Sequence, residues 1–304
     1  MASRPIHLMI VAAHPADSFD QAGGTLAHHV AQGDRVTAVI ATTGVRSHHF
    51  RLADEKRRAG KKLNVEKRIQ KAVAEKLEEV RNACRILGFD DVRALGFDDD
   101  DVLLTQGKVE AIAAVIRELK PDILITHHPF ECGGFKMHGT IGQATLHAWQ
   151  LASGSGHGRQ PRHYAPIVYF MCPLAYIGNN SLEYAGTARA DLFVDITDVI
   201  ELKVRAMDYI NTQYYGGAYA RKTAESFDGT FGQHAGVAYA EVFQRFAPAV
   251  RYTLPVTDAE LSLIDAPIEA YMARRSEMTA ALLPLPPNQR FSAQHRFTKE
   301  MYRD

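Results

Sequence analysis

The chain has 304 residues, 46% of them hydrophobic and 23% charged, with 35 basic side chains balanced by 35 acidic ones. That composition fits a folded globular protein, and the zero net charge gives no electrostatic reason to expect nucleic acid or an anionic membrane as partner, so a small solute is expected instead. Cys84, Cys132 and Cys172 are too few and too scattered for a disulfide framework or a cysteine-rich zinc site, and no apolar stretch reaches the roughly 18 residues of a membrane span, which together point to a soluble, cytoplasmic protein.

The run from Ile6 to Ala13 reads as a strand covered on both faces, and Pro15 forbids further ladder pairing just where His14 and Asp17 appear. Gln21 to Gln32 then follows a helical pattern that starts at Gly23-Gly24, and Gly33-Asp34 ends it before a strand from Val36 to Thr42. Val65 to Leu87 carries Ile69, Val73, Leu77, Val80 and Cys84 at three- and four-residue steps, an amphipathic helix with a solvated charged face. A short strand at Arg93 to Gly96, the run Asp98 to Asp101 and a helix from Val109 to Leu119 lead to the strand Ile123 to Thr126. That strand ends in His127-His128-Pro129. A glycine-bearing loop from Glu131 to Met137 precedes His138 and a helix to about Leu151. Ile167 to Cys172 and Leu192 to Ile196 read as strands, and Thr197-Asp198 caps a helix from Val199 to about Gln213. Beyond Leu254 come a helix from Asp258 to Leu283, a proline cluster and a polar tail.

Alternating strands and helices predict an α/β fold, a Rossmann-like sandwich with a mostly parallel sheet and a C-terminal helical extension. Residues 1–253 form the expected metal-binding catalytic domain, and residues 254–304 an extension that docks on another subunit, which makes the protein a homo-oligomer. In such sheets ligands bind outside the carboxyl ends of the strands, where His14, Asp17, His48, His49 and the histidines from 127 to 138 are expected to collect. A catalytic zinc takes three protein ligands and leaves one position open, and His14, Asp17 and His138 supply such a set. The same two-histidine, one-carboxylate set also suits Fe(II) or another divalent metal.

The residues Ala13-His14-Pro15-Ala16-Asp17, Gly23-Gly24-Thr25-Leu26-Ala27, Thr42-Thr43-Gly44, Thr126-His127-His128-Pro129 leading to His138, and Phe193-Val194-Asp195-Ile196-Thr197 resemble the PIG-L/LmbE superfamily in order and spacing over roughly residues 6 to 250. The resemblance implies a zinc-dependent N-deacetylase fold with one Zn2+ per chain on His14, Asp17 and His138. It also implies a general base at the first aspartate of Ala-His-Pro-Asp-Asp, and this chain has Ala16 there. Val45 replaces the glutamate expected after the second strand, and Phe135-Lys136-Met137-His138 replaces a His-Pro-Asp-His segment. Base and oxyanion helper are worth about 10²–10⁴-fold each, so ordinary amide hydrolysis is not the expected activity. The Ala-His-x-Ala-Asp and Ala22-Gly23-Gly24 pattern resembles the 4-oxalomesaconate hydratase branch, which implies a hydratase, a lyase that adds water to a small unsaturated keto-carboxylate. An N-deacetylase with a relocated base and a catalytically inactive binding protein are the alternatives.

Proton transfer then needs another residue. Glu131, in a loop between two ligand-bearing segments, is a candidate base if desolvation raises its pKa, and His48 and His49 are further candidates. Arg46, Lys136 and His128 are the candidate substrate-binding residues, Arg46 through bidentate geometry. Asp98 to Asp101 is a candidate second cation site, and the Tyr214 to Gly217 and Phe227 to Phe231 stretches are candidate lid or contact segments.

Overall fold

The structure is a computed structural model that describes residues 4–131, 136–155, 160–171 and 190–282, the side chains of 136 and 277–282 apart. In chain order the elements are β1 (His7–Ala12), α1 (Asp17–Asp20), α2 (Gly23–Ala31), β2 (Arg35–Thr42), α3 (Val45–His48), α4 (Phe50–Ala59), α5 (Glu66–Ile86), β3 (Val92–Phe97) and α6 (Gln106–Leu119). They continue through β4 (Ile123–His127), α7 (Lys136–Ser153), β5 (Ile167–Met171), β6 (Leu192–Asp195), α8 (Ile200–Asp208), α9 (Ala218–Thr223), α10 (Gly229–Ala235), β7 (Ala240–Arg245), α11 (Asp258–Leu261) and α12 (Ile268–Leu282).

The seven strands form one sheet in the order β3-β2-β1-β4-β5-β7-β6. Pairings from β3 through β5 are parallel, and β7 runs antiparallel to both β5 and β6. The expected α/β sandwich with a mostly parallel sheet is therefore what forms. β1 shows why its run is continuously apolar. Leu8, Ile10 and Ala12 pack into the core on one face, and Met9, Val11 and Ala13 into the core on the other. Each large aliphatic side chain so buried contributes about 1.5–3 kcal/mol, and a one-residue slip would exchange the two faces.

Strand order reverses between β1 and β4, whose neighbours lie on opposite sides. The connections leaving these two strands diverge, which opens a crevice at their carboxyl ends. His14 and Asp17 follow β1, and His127 ends β4, so the sheet topology brings the two ligand-bearing segments to one place.

Several boundaries differ from the sequence reading. β7 was not among the expected strands because the charge of Glu241 interrupts its apolar pattern; that side chain is buried against Lys203. α8 stops at Asp208, short of Gln213, where a 3₁₀ turn at Asn211–Gln213 is followed by Tyr214 at φ 58°. The single helix expected from Asp258 to Leu283 is two, α11 and α12. Pro267 has no backbone N–H to donate and stands just before α12, where such a donor is not needed. The charged face of α5 is not wholly solvated: Lys76 is buried and bonds Gln213, and Glu79 accepts from the Thr212 N–H and hydroxyl.

Candidate metal centre

β1 delivers Ala13 and His14 into a turn closed by the Asp17 N–H on the His14 carbonyl, and α1 begins there. The Asp17 carboxylate folds back to accept the His14 N–H at 2.6 Å, which fixes its direction. His138 arrives from α7. That helix comes close enough because Gly139 and Gly142 have no side chains: a Cβ would meet the Glu131 carbonyl oxygen at 2.8 Å and the His127 carbonyl oxygen at 2.5 Å, respectively.

The result is a triangle of ligand atoms. His14 Nδ1 is 3.3 Å from Asp17 Oδ2, His138 Nε2 is 3.3 Å from the same oxygen, and the two nitrogens are 3.2 Å apart. Ligands at 2.0–2.1 Å around a tetrahedral zinc stand about 3.3 Å from one another, so the spacing already matches three corners of that tetrahedron. All three residues are buried. Burial holds the His14 imidazole below its ordinary pKa and hence neutral. Burial also opposes ionisation of Asp17, but His138 and His14 outweigh it and hold the carboxyl well below the usual range. For His138, burial favours the neutral ring, yet Asp17 and Glu131 overcome it and raise the group to about 10. The cluster thus stabilises positive charge at its centre, which a proton or a metal cation can supply.

Glu131 sits behind His138, bonded to Nδ1 at 2.6 Å through Oε1. The proton on Nδ1 leaves the Nε2 lone pair directed at the triangle, the arrangement in which a carboxylate orients a metal-binding histidine. Burial works against its charge, but His138 and His127 pull it down to about 2, the opposite of the raised value expected of a base. Its carboxylate is thereby held ionised against His138. A second group, His127, Glu131 and His138, also meets metal-ligand spacing. There, however, the Glu131 contact is a hydrogen bond to His138, and His127 Nε2 accepts the Ala13 N–H at 2.9 Å. The His127 ring stacks on His138, with centroids 4.0 Å apart.

His48 reaches the same centre from the other side. Gly44, at φ 62°, turns the chain so closely over Pro15 that a Cβ would meet its ring at 2.5 Å, and the His48 ring comes to lie 4.1 Å from that of His14. Ser47 Oγ stands 2.6 Å from His48 Nδ1 and also donates to Asp99. A hydroxyl that gives its proton to Asp99 must accept at His48, so Nδ1 carries the ring proton and Nε2 is the acceptor nitrogen. Burial, with His14 adding to it, lowers His48 to about 4 and keeps it neutral.

The other candidates serve elsewhere. His49 caps α4, its Nδ1 accepting the Leu52 N–H at 3.0 Å, which makes it a structural residue rather than a catalytic one. Arg46 is engaged by Glu66 and Asp98 and is not available for a substrate carboxylate. His128 Nδ1 accepts the Phe130 N–H at 3.2 Å, and its ring packs edge-on against Phe170, so it builds the turn after β4. The Lys136 side chain lies outside the described residues. Asp98, Asp99 and Asp101 are spent on Arg46, the 43–47 turn and Lys108, so the acidic run is not a second cation site. Gly24 and Thr25 at the start of α2 donate to the protein's own Glu241. Phe231 is a core residue, whereas Tyr214 and Phe227 are exposed.

Residues 9–149 match the family model described as GlcNAc-PI de-N-acetylase, PIG-L. The chain is 28% identical over 206 residues to a probable N-acetyl-alpha-D-glucosaminyl L-malate deacetylase 2 of Bacillus cereus, covering 66% of this chain and 80% of that protein. It is 26% identical over 232 residues to the 1D-myo-inositol 2-acetamido-2-deoxy-alpha-D-glucopyranoside deacetylase of Streptomyces griseus, covering 70% of each. Among solved structures, GalB, the 4-carboxy-2-hydroxymuconate hydratase of Pseudomonas putida, superposes with a TM-score of 0.65 at 23% identity, over 82% of this chain and all of that one. The diacetylchitobiose deacetylase of Pyrococcus horikoshii gives 0.64 at 17% identity, over 80% of this chain and 84% of that one. Among the described residues, no helix is long and apolar enough to cross a membrane.

Proposed function

From the premise that residues 9–149 form a PIG-L domain, we propose that the protein is a zinc-dependent hydratase adding water to a small unsaturated keto-carboxylate. The observation that carries this reading is an intact His14, Asp17 and His138 triangle beside an alanine at the position where a deacetylase base is expected. Zinc held by these three residues supplies Lewis acidity, polarising a substrate oxygen and providing a water nucleophile near pH 7.

The chain's own residues supply the rest. Glu131 keeps the His138 ring in the tautomer and orientation that a ligand needs. His48, held through Ser47 by Asp99, offers Nε2 as the acceptor for a proton taken from water. Adding water to a polarised double bond asks only for such an acceptor and a proton donor, whereas amide hydrolysis must also drive out a poor amine leaving group. The hydratase activity of GalB supports the substrate class. The second reading, an N-deacetylase with His48 in place of the absent carboxylate, is favoured by the relatives from Bacillus cereus and Streptomyces griseus, both named as deacetylases.

Zinc-loaded protein is incubated with 4-carboxy-2-hydroxymuconate, followed by loss of ultraviolet absorbance, and separately with N-acetylglucosamine, followed by acetate release. Zinc-dependent loss of the conjugated absorbance is the expected result. Acetate release with no hydration of the muconate would overturn the hydratase reading in favour of the second.

A further inference from the structure

The balance of 35 basic against 35 acidic side chains holds for the chain as a whole and not locally. Between positions 56 and 71 eight residues are basic and one, Glu66, is acidic. They occupy the end of α4, the 3₁₀ turn at Gly60–Lys62 and the start of α5. Half of these cations are accounted for by the protein itself. Arg57 and Arg58 share Asp54, Arg68 pairs with Glu55, and the Lys56 ammonium donates to the Leu63 carbonyl at 2.6 Å. Lys56, Arg57 and Arg58 also stand in the last turn of α4, where the helix dipole favours a cation.

Lys61, Lys62, Lys67 and Lys71 remain. All four are exposed, and none has an ion pair among the described residues. Their placement works against the fold. Lys67 is in the first turn of α5, the end of a helix where the dipole disfavours a cation, and Lys61 and Lys62 stand in the turn just before it. Lys67 and Lys71 are four apart on α5, the spacing at which like charges repel. On the inner side Leu52, Val65, Ile69 and Ala72 pack into one apolar cluster, so the outer side of this corner is left to the lysines. Cations that repel one another, oppose a helix dipole and lack a partner are stabilised by an external anion.

We propose that the corner between α4 and α5 docks on an anionic phospholipid bilayer through Lys61, Lys62, Lys67 and Lys71; the inference is independent of the hydratase reading. The kind of charge favours a lipid surface over nucleic acid. The arginines, whose planar forks suit phosphate and base edges, are engaged by Asp54 and Glu55, and what is left over is a set of point charges on flexible stems. Residues 51–71 contain no aromatic side chain on which a base could stack. A headgroup layer asks only for point charges, and each lysine held near it strengthens the partition about fivefold. No large apolar side chain between residues 51 and 71 is exposed, so nothing there inserts among the acyl chains and attachment is electrostatic, reversed by salt. Arg46, two residues before His48, pairs with Glu66 in the first turn of α5, so the docked corner adjoins the loop that carries His48.

The test mixes the full-length protein with vesicles of phosphatidylcholine alone, with vesicles containing about one third phosphatidylglycerol, and with a DNA duplex, each at about 0.05 M and about 0.5 M salt. The expected result is sedimentation with the anionic vesicles at the lower salt, release at the higher, and none with the neutral ones. Lys61→Gln, Lys62→Gln, Lys67→Gln and Lys71→Gln are each expected to weaken the partition about fivefold, and the four together by on the order of 10²-fold or more. Circular dichroism and zinc content should match wild type in every variant. Failure to bind the anionic vesicles, equal binding to neutral ones, or wild-type binding by the fourfold variant would overturn the proposal. Retention of the duplex without vesicle binding would overturn it in favour of nucleic acid.

Discussion

Two buried ionic clusters among the described residues are built on opposite principles. In the first, Lys203 Nζ donates to Asp228 and Glu241, each at 2.9 Å, and Glu241 also accepts the N–H groups of Gly24 and Thr25. Cation and anions satisfy one another, so the cluster is complete as it stands. In the second, His14 Nδ1, Asp17 Oδ2 and His138 Nε2 stand 3.2–3.3 Å from one another, while Glu131 fixes the far side of His138. That cluster stabilises positive charge among its three ligand atoms. A buried charge network that closes on itself holds the fold together, and one whose acceptor atoms converge at ligand spacing can hold a cation.

The comparison breaks first at Lys203. Lys203→Met leaves Asp228 and Glu241 buried without their cation and is expected to cost about 3–5 kcal/mol of stability by denaturant unfolding. Zinc bound per folded chain should not change. Loss of zinc in that variant at full folding would mean that the two clusters are not separate.

Glu131→Gln sharpens the other side. The amide keeps the size of the carboxylate but loses the charge that holds the His138 Nδ1 proton, and zinc affinity is expected to fall about 10–100-fold in competition with a chelator. At saturating zinc, kcat should recover most of its wild-type value. A variant with wild-type affinity and a collapsed kcat would return Glu131 to the role of base.

A smaller effect separates the clusters by pH. Asp228 is raised to about 7, because burial outweighs the attraction of Lys203 and the nearby Glu241 opposes a second negative charge. Between the ordinary carboxylate range and pH 7 the native state therefore holds a proton that the unfolded chain has lost, so this contribution is complete at low pH and disappears as pH rises through 7. Wild type is expected to lose about 1–2 kcal/mol between pH 5.5 and 7.5 relative to Asp228→Asn. Parallel stability curves for the two proteins would contradict the assignment.

The last of these concerns the C-terminal arm, where Val250, Tyr252, Leu254, Ile264 and Ile268 are exposed. We expect a second copy of the chain to cover it, so truncation before Pro255 should lower the mass in solution. An unchanged mass would remove the arm from assembly.

The legible part of this molecule is the part set by local pattern. Continuous apolar strands ending in His14 and His127, and a helix start at His138, point to one sheet edge because strand order and handedness leave few alternatives. Roles at the site were harder to read. Glu131 was visible as a carboxylate in the loop between two ligand-bearing segments, but whether its proton affinity rises or falls depends on its facing His127 and His138. His48 and His49 are adjacent in sequence, and only the cap on α4 separates a helix terminus from a ring tilted against that of His14. Arg46 looked available until the chain brought Glu66 and Asp98 to it.

Metal analysis of purified protein tests the central claim most directly. Wild type loaded with zinc and cleared of excess is predicted to hold one ion per chain by mass spectrometry, with a nitrogen- and oxygen-rich ligand shell by X-ray absorption, and His138→Ala to hold none. Full zinc occupancy in folded His138→Ala, or none in wild type, would contradict it.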